Sequence, residues 1–489
     1  MTDALPTVLV FGYLAVALVV GVAAARRGAG GVTDFVAGDR AFGPVVMYFV
    51  MGATIFSAYA LLGTPQRIVA KGTDALYIIA YGAAGFVPVF FFGAKVRRLG
   101  ARRGFVTQAE MVGARFDSRF LTAAMGIATL VSFLPYMVIQ LKGAGMVMHA
   151  VTGWPDVVGA VVVYGVVTTY VVVGGVRGVG WTNVVQGIAM LVVVWGLGLW
   201  IPHELFGGVG PMFDRLVVER PQWLTLPGPG NVGEGEYSSE ILVSMLGFSM
   251  WPQVFMKCFT ARSARLVQLS AVLYPTFLFF LIPLFFIGWS AVLMGGPADD
   301  TVLLWMLARP ELGDTSLAFA FVSLAILAAS MSTGDALLHA GGSIAVRDVM
   351  VRGFGWSLGE RGQTRTMRGV IVLLAAASAL LLSVADRVSV VDLLLLAYAV
   401  PIQFVPVTLL GLYWRRANRV GATWGLGLGL ATVVILFVLG LLAPALYSSV
   451  NPAGWQIGVI AGAVNLATLV LLSWLSPAMP AEHLAHFEL

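Results

Sequence analysis

One cysteine, Cys258, occurs in 489 residues. An internal disulfide framework and a cysteine-based metal cluster are thereby excluded, which leaves oxygen chemistry and packing for whatever the chain does. Cys258 itself reads as a small hydrophobe near a helix end. Charge is scarce as well: Asp, Glu, Lys and Arg make up 11% of the residues, against roughly 25% in a soluble globular chain. The first apolar segment, Pro6 to Ala25, lacks a positive region before it and an A-x-A-like cleavage site after it, so it reads as a retained span and not a cleaved signal. What fills the chain is hydrophobicity, 59% of residues with a mean hydropathy of +0.91. The sequence describes an all-α polytopic membrane protein.

Segments of about 17 to 31 mostly apolar residues are each long enough to cross roughly 30 Å of hydrocarbon as a helix. About thirteen occur, near residues 6–25, 44–69, 75–98, 120–149, 157–173, 182–202, 239–258, 266–294, 316–346, 367–385, 391–413, 421–445 and 455–476. The longest connections, Pro202 to Ser238 and Gly295 to Thr315, are where extra-membrane structure has room, the first as an irregular cap. With the N-terminus outside and the C-terminus inside, about 22 of the 29 basic residues fall in alternate loops facing the cytoplasm, as the positive-inside rule requires. These loops are Arg26–Arg40, Lys95–Arg119, Arg177, Lys257–Arg265, Arg347–Arg368 and Arg415–Arg419. The net charge of +5 is therefore a topological signal for a plasma-membrane protein in a lipid bilayer, and calls for no nucleic-acid partner.

Polar residues at membrane depth carry the functional signal. Leu324 to Asp348 begins as a spanning helix yet holds Ser330, Ser332, Thr333, Asp335 and His339, each of which needs a partner or a function. The spacing of Ala329, Ser332 and Thr333 puts them on one helical face, and oxygen is what a small hard cation prefers. The same hydroxyls can instead bond back to the preceding turn. Asp335 and His339, four residues apart, can share a face and hydrogen-bond as a possible coupling pair. In the second span, Gly52, Thr54 and Ser57 let a helix open locally where it lines a cavity or an ion, or serve a helix–helix contact. Pro252, inside an apolar run, breaks or kinks the seventh span, with Gln253 beside the freed carbonyls or bonded to a neighbour. Lys142, about eight residues from the outer end of its span, snorkels or pairs, or meets an anionic solute group together with Tyr136 and Gln140.

At these residues the chain resembles the sodium:solute symporter family. Five patterns match in order over nearly the whole length: G-A-T-I-F-S-A at Gly52–Ala58, V-T-Q-A-E-M-V-G-A-R-F-D-S-R at Val106–Arg119, G-G-V-R-G-V-G-W-T-N-V-V-Q at Gly174–Gln186, A-S-M-S-T-G-D at Ala329–Asp335, and A-Y-A-V-P-I-Q-F-V-P with G-L-Y-W-R-R at Ala397–Arg416. The resemblance implies thirteen helices with a five-plus-five inverted repeat like that of bacterial leucine transporters. It divides a single transporter domain, 1–489, into an extra N-terminal helix (1–43), a first repeat (44–202), a second repeat (239–416) and two C-terminal helices (417–489). It also implies a sodium ion, the coupling cargo, ligated by the carbonyls of Ala53, Phe56 and Ala329 and the hydroxyls of Ser332 and Thr333. Proline-transporting members have an aspartate between the two carbonyl ligands of the broken helix; Ile55 stands there, which weakens a proline reading and leaves the five ligands in place.

Within the family, the run from Phe105 to Gly145 is most similar to the monocarboxylate and pantothenate permease branch. The resulting expectation is a sodium-coupled symporter importing a small organic solute, a monocarboxylate or related organic acid, with Tyr59, Tyr136, Gln140, Lys142, Trp251 and Gln253 around it. Proton coupling through Asp335 and His339, and a sodium-coupled amino-acid or pantothenate symporter, are the alternatives. A membrane sensor is disfavoured because about thirteen residues follow the last span to Leu489, and an intramembrane enzyme because no nucleophile–base pair or metal triad is evident. Oligomeric state is not legible.

Overall fold

The computed structural model describes residues 4–26, 31–385 and 390–487; the expectations that touch Arg27 and Leu489 lie outside the described residues. Backbone amides in hydrocarbon must be satisfied within their own segment, so apolar runs of this length fold as helices. Among the described residues no strand forms, and one isolated bridge joins Phe42 to Ala261. The membrane body is built from α1 (Ala4–Ala25), α2 (Pro44–Ala53), α3 (Ala58–Lys71), α4 (Tyr77–Gly85), α5 (Val87–Arg103), α6 (Arg119–Thr152) and α7 (Asp156–Phe206). It continues with α8 (Glu234–Phe248), α9 (Pro252–Thr260), α10 (Ala264–Phe277), α11 (Leu281–Leu293), α12 (Ser316–Ile344), α13 (Glu360–Ala385), α14 (Val390–Tyr398), α15 (Phe404–Tyr413), α16 (Arg419–Leu442) and α17 (Ile457–Leu475).

Among the described residues, ten helices are long and apolar enough to cross a membrane, or eleven when α8 and α9, bent by 41° to one another, form one span. The sequence expectation of thirteen differs for a physical reason. Helix α7 runs 51 residues, about 76 Å at 1.5 Å per residue, more than twice the hydrocarbon thickness of roughly 30 Å. It holds two expected segments, 157–173 and 182–202, joined at Gly175, whose φ of 52° and ψ of −149° only glycine adopts readily. Similarly, Ala58–Arg103 counts as one 46-residue stretch although it turns back at Gly72, φ 67°, and α2 has only ten residues by itself. The connection after Pro202, expected to be irregular, contains a further helix, Val209–Glu219.

Helix α12 is the axis of the body: every residue from Ala325 to Ile344 is buried, packed against α7, α6 and α1. The periphery reverses this pattern. Leu373, Leu380, Leu441 and Trp474, on α13, α16 and α17, are exposed, as apolar side chains facing lipid must be. Both ends of the body are tied by ions. At the end rich in basic residues, Arg347 and Arg352 meet Glu110 at 2.5 and 3.2 Å, and Arg177 meets Asp34 at 2.6 Å and Asp39 at 3.2 Å. The basic residues of these loops thus hold acids.

Candidate functional site

The second span is broken where the sequence placed its small and hydroxyl residues. Helix α2 ends at Ala53, four non-helical residues follow, and α3 starts at Ala58. The Gly52 carbonyl accepts from Ile55 and Phe56 (3.1 and 3.3 Å), closing the first half, and Ser57 caps the second by accepting from the Tyr59 amide at 3.2 Å. Gly52 is required for packing too, since a Cβ there would lie 2.4 Å from the Phe277 ring. The seventh span breaks in the same way. Helix α8 ends at Phe248, and Trp251 takes an extended conformation (φ −54°, ψ 119°) before Pro252 restarts the helix, as the residue before a proline is pushed to do.

Helix α12 crosses the first break. The Ser332 hydroxyl donates to the Ala53 carbonyl at 2.9 Å and lies 3.1 Å from that of Ala329, while the Thr333 hydroxyl donates to the Thr54 carbonyl at 2.9 Å. All five residues expected to bind sodium are buried. Four of them, Ala53, Ala329, Ser332 and Thr333, are joined across the break directly or through Thr54; Phe56 is in the broken segment one residue before the cap, its ring stacked on Phe277 at 5.2 Å. Both expected behaviours of the serine therefore coexist: it bonds back along its own helix and reaches across to the other.

The expected solute residues separate into two groups. Tyr136 packs against Trp251 with ring centroids 4.8 Å apart, Trp251 meets Tyr398 edge-on at 5.3 Å, and the buried Gln253 Oε1 has no hydrogen-bond partner among the described residues. These line the second break. The others are already engaged. Gln140 Oε1 accepts from the Ala58 amide at 3.1 Å and its Nε2 donates to the Tyr136 carbonyl at 3.1 Å, so its amide fastens the first break to α6. Tyr59 shares a 2.5 Å hydrogen bond with Tyr77. Lys142 forms a 2.7 Å ion pair with Asp300.

Asp335 and His339 do not hydrogen-bond to one another. His339 Nε2 lies 2.8 Å from the Phe35 carbonyl. Asp335 instead accepts from Tyr170 (2.8 Å), Thr182 (3.1 Å) and Asn183 (3.2 and 3.3 Å), and the buried Lys257 acts on it electrostatically. Asn183 extends the network by accepting from the Thr54 hydroxyl at 3.0 Å. The acid is therefore linked in two hydrogen bonds to the break. Sequence reasoning missed Tyr170, Thr182, Asn183 and Lys257. The signal was present in the motif at Gly174–Gln186, where an amide inside an apolar run needs a partner for the same reason that Asp335 does.

A helical membrane body with two broken spans, the first of which meets buried oxygens on a central helix, defines a secondary transporter rather than an enzyme. Comparison with known proteins gives the particular lineage. The pattern described as "Sodium:solute symporter family" matches residues 35–429, and the chain belongs to that family. The uncharacterized symporter YhjB of Bacillus subtilis (strain 168) is 26% identical over 478 residues, 95% of this chain and 96% of its own. The uncharacterized symporter YodF of the same organism is 27% identical over 414 residues, 83% and 82% of the two chains. Among solved structures, a sodium-coupled sialic acid symporter in a substrate-bound outward-open state aligns with TM-score 0.79 at 19% identity, covering 98% of this chain and all of that one. A nucleobase-cation-symport-1 family transporter in a closed conformation aligns at 0.56 and 14% identity, covering 93% and 97%. These likenesses establish a leucine-transporter-like fold for a multi-pass integral membrane protein that carries out solute symport.

Proposed function

We propose that this symporter couples inward sodium movement across the plasma membrane to uptake of a small organic acid of the monocarboxylate class, with 44–202 and 239–416 as its two inverted repeats. One observation carries the sodium assignment: hydroxyls of Ser332 and Thr333 converge on carbonyls of the broken helix, beside the Ala329 carbonyl. Sodium takes these oxygens, with the Phe56 carbonyl, when the hydroxyls turn their lone pairs toward it. Binding at this junction links α12 to both halves of the broken span and raises solute affinity by linkage. The membrane potential adds roughly 2.3 kcal/mol per charge per 100 mV. Solute binds beside the second break, where Tyr136, Trp251 and Gln253 gather. Proteoliposome uptake driven separately by sodium and by proton gradients tests this reading. Sodium-driven uptake that is lost in Ser332→Ala with Thr333→Ala supports it; proton-driven uptake indifferent to sodium overturns it and transfers coupling to Asp335.

A further inference from the structure

The end of the body opposite the Glu110 ion pairs contains a buried charge cluster that the sodium reading does not use. Arg67, on α3, donates from Nε to Asp74 Oδ2 at 2.5 Å and from Nη2 to Glu240 Oε2 at 2.5 Å. The exposures of the three residues are 4%, 0% and 1%. Two carboxylates thus share one guanidinium, and Asp74 Oδ1 is buried with no hydrogen-bond partner among the described residues. A buried site with one carboxylate more than its cation needs is costly unless the surplus acid has somewhere else to go.

The two acids differ in where they are anchored. Asp74 follows Arg67 by seven residues in the 3-10 turn that packs against α3, so the pair belongs to one local segment of the chain. Glu240 is on α8, the outer half of the other broken span, where Glu236, one turn away, makes a second and more exposed bridge to Lys71 at 2.7 Å. Asp74 Oδ2 meets both Nε and Nη2 of Arg67, so a displacement of α8 from α3 would leave Arg67 held by Asp74 and free the one Nη2 hydrogen that Glu240 accepts. Below the guanidinium lies the Tyr77 ring, centroid 5.0 Å away, and the Tyr77 hydroxyl bonds that of Tyr59, whose amide is capped by Ser57 at the first break. The cluster is thus connected, through two tyrosines, to the sodium junction.

We propose that Arg67 is the outer receiving site for the solute's carboxylate, and that Glu240 occupies it as an internal surrogate when α3 and α8 are together. The guanidinium presents a planar pair of donors suited to a carboxylate, Asp74 keeps it oriented in the open state, and a solute acid takes the edge that Glu240 releases. This inference rests on the organic-acid reading above. It gives the solute a cationic contact on its way to the cavity, a role that Lys142, paired with Asp300, does not need to fill.

The test compares sodium-driven uptake of pyruvate, lactate and pantothenate with uptake of their amides, using the full-length protein in proteoliposomes. Arg67→Gln raises the KM of the transported acid by about 30-fold or more, Arg67→Lys recovers part of that loss, and Glu240→Gln lowers the KM of the acid by removing its competitor. Measured at saturating solute, the sodium concentration for half-maximal uptake stays unchanged in each. If acid and amide respond alike, or Arg67→Gln leaves the acid's KM unchanged while wild type transports it, the inference falls and the organic-acid reading survives. Wild type that transports none of the acids under a sodium gradient overturns both. Should Arg67→Gln fail to reach the membrane, Glu240→Gln decides, and an unchanged KM for the acid overturns the inference.

Discussion

Gln140 distinguishes a solute contact from a support of the ion site. Its Oε1 satisfies the Ala58 amide, the first of the orphan N–H groups at the start of α3, and its own carbonyl accepts from Ser330 at 2.7 Å, which ties it to α12. Gln140→Leu keeps the volume and removes the acceptor, leaving one buried N–H unsatisfied at a cost of about 1–3 kcal/mol. Because the bond joins the broken helix to α6, the loss acts on the geometry of residues 53–57 and hence, on the proposed reading, on sodium. A coupling energy of that size corresponds to roughly 5- to 150-fold in affinity. Sodium activation of uptake, measured at saturating solute, should therefore shift to higher sodium within that range. An unchanged sodium dependence with a raised KM for solute would refute this reasoning and return Gln140 to the solute cavity.

Three further outcomes follow from other contacts. Gly52→Ala forces a methyl to within 2.4 Å of the Phe277 ring, an overpacking worth about 1–3 kcal/mol; a lower melting temperature in detergent, restored by Phe277→Leu, checks it. Asn183→Leu cuts Thr54 from Asp335 and leaves the buried Thr54 hydroxyl without its acceptor while Tyr170 and Thr182 still hold the carboxylate, so sodium-dependent uptake falls at least about tenfold, as measured per unit of protein at the membrane. Lys142→Gln and Asp300→Asn each destabilise the protein, and the double variant costs less than the sum of the two, read as a thermal double-mutant cycle; a raised solute KM in Lys142→Gln alone would show that the ammonium serves the solute.

Local chemistry was legible wherever one residue dictates the backbone. Pro252 has no N–H and broke the seventh span, and Gly52 with the Ser57 cap marked the opening of the second. Ser332 and Thr333 were legible because a polar pair on a buried helix face needs oxygen partners, and α12 brought them to Ala53 and Thr54. Partnership across long separations was not legible. Asp335 and His339 are four residues apart and looked like a pair, yet the tertiary fold supplied Tyr170, Thr182 and Asn183 to one and the Phe35 carbonyl to the other. Gln140 was expected beside the solute, and Lys142 either paired or beside it, because their partners, Ala58 and Asp300, lie 82 and 158 residues away and could not be read from the sequence. Periodicity reports which face is polar, and only packing reports what covers it. Span counting met a related limit at α7, where a single glycine, Gly175, leaves helical φ and ψ and divides the 51 residues into two helices.

Ser332 has one hydroxyl proton and two carbonyls within its reach, and Thr333 adds a second proton on a third. On the proposed reading, an arriving ion has to win those acceptors from protons that never leave the protein, so part of the attraction it gains is offset by two hydrogen bonds surrendered. A site with such an internal rival lets go readily. For a symporter delivering its cargo into a sodium-poor cytoplasm, ease of departure sets the turnover, and two hydroxyls that rotate back onto their carbonyls refill the junction as the ion exits.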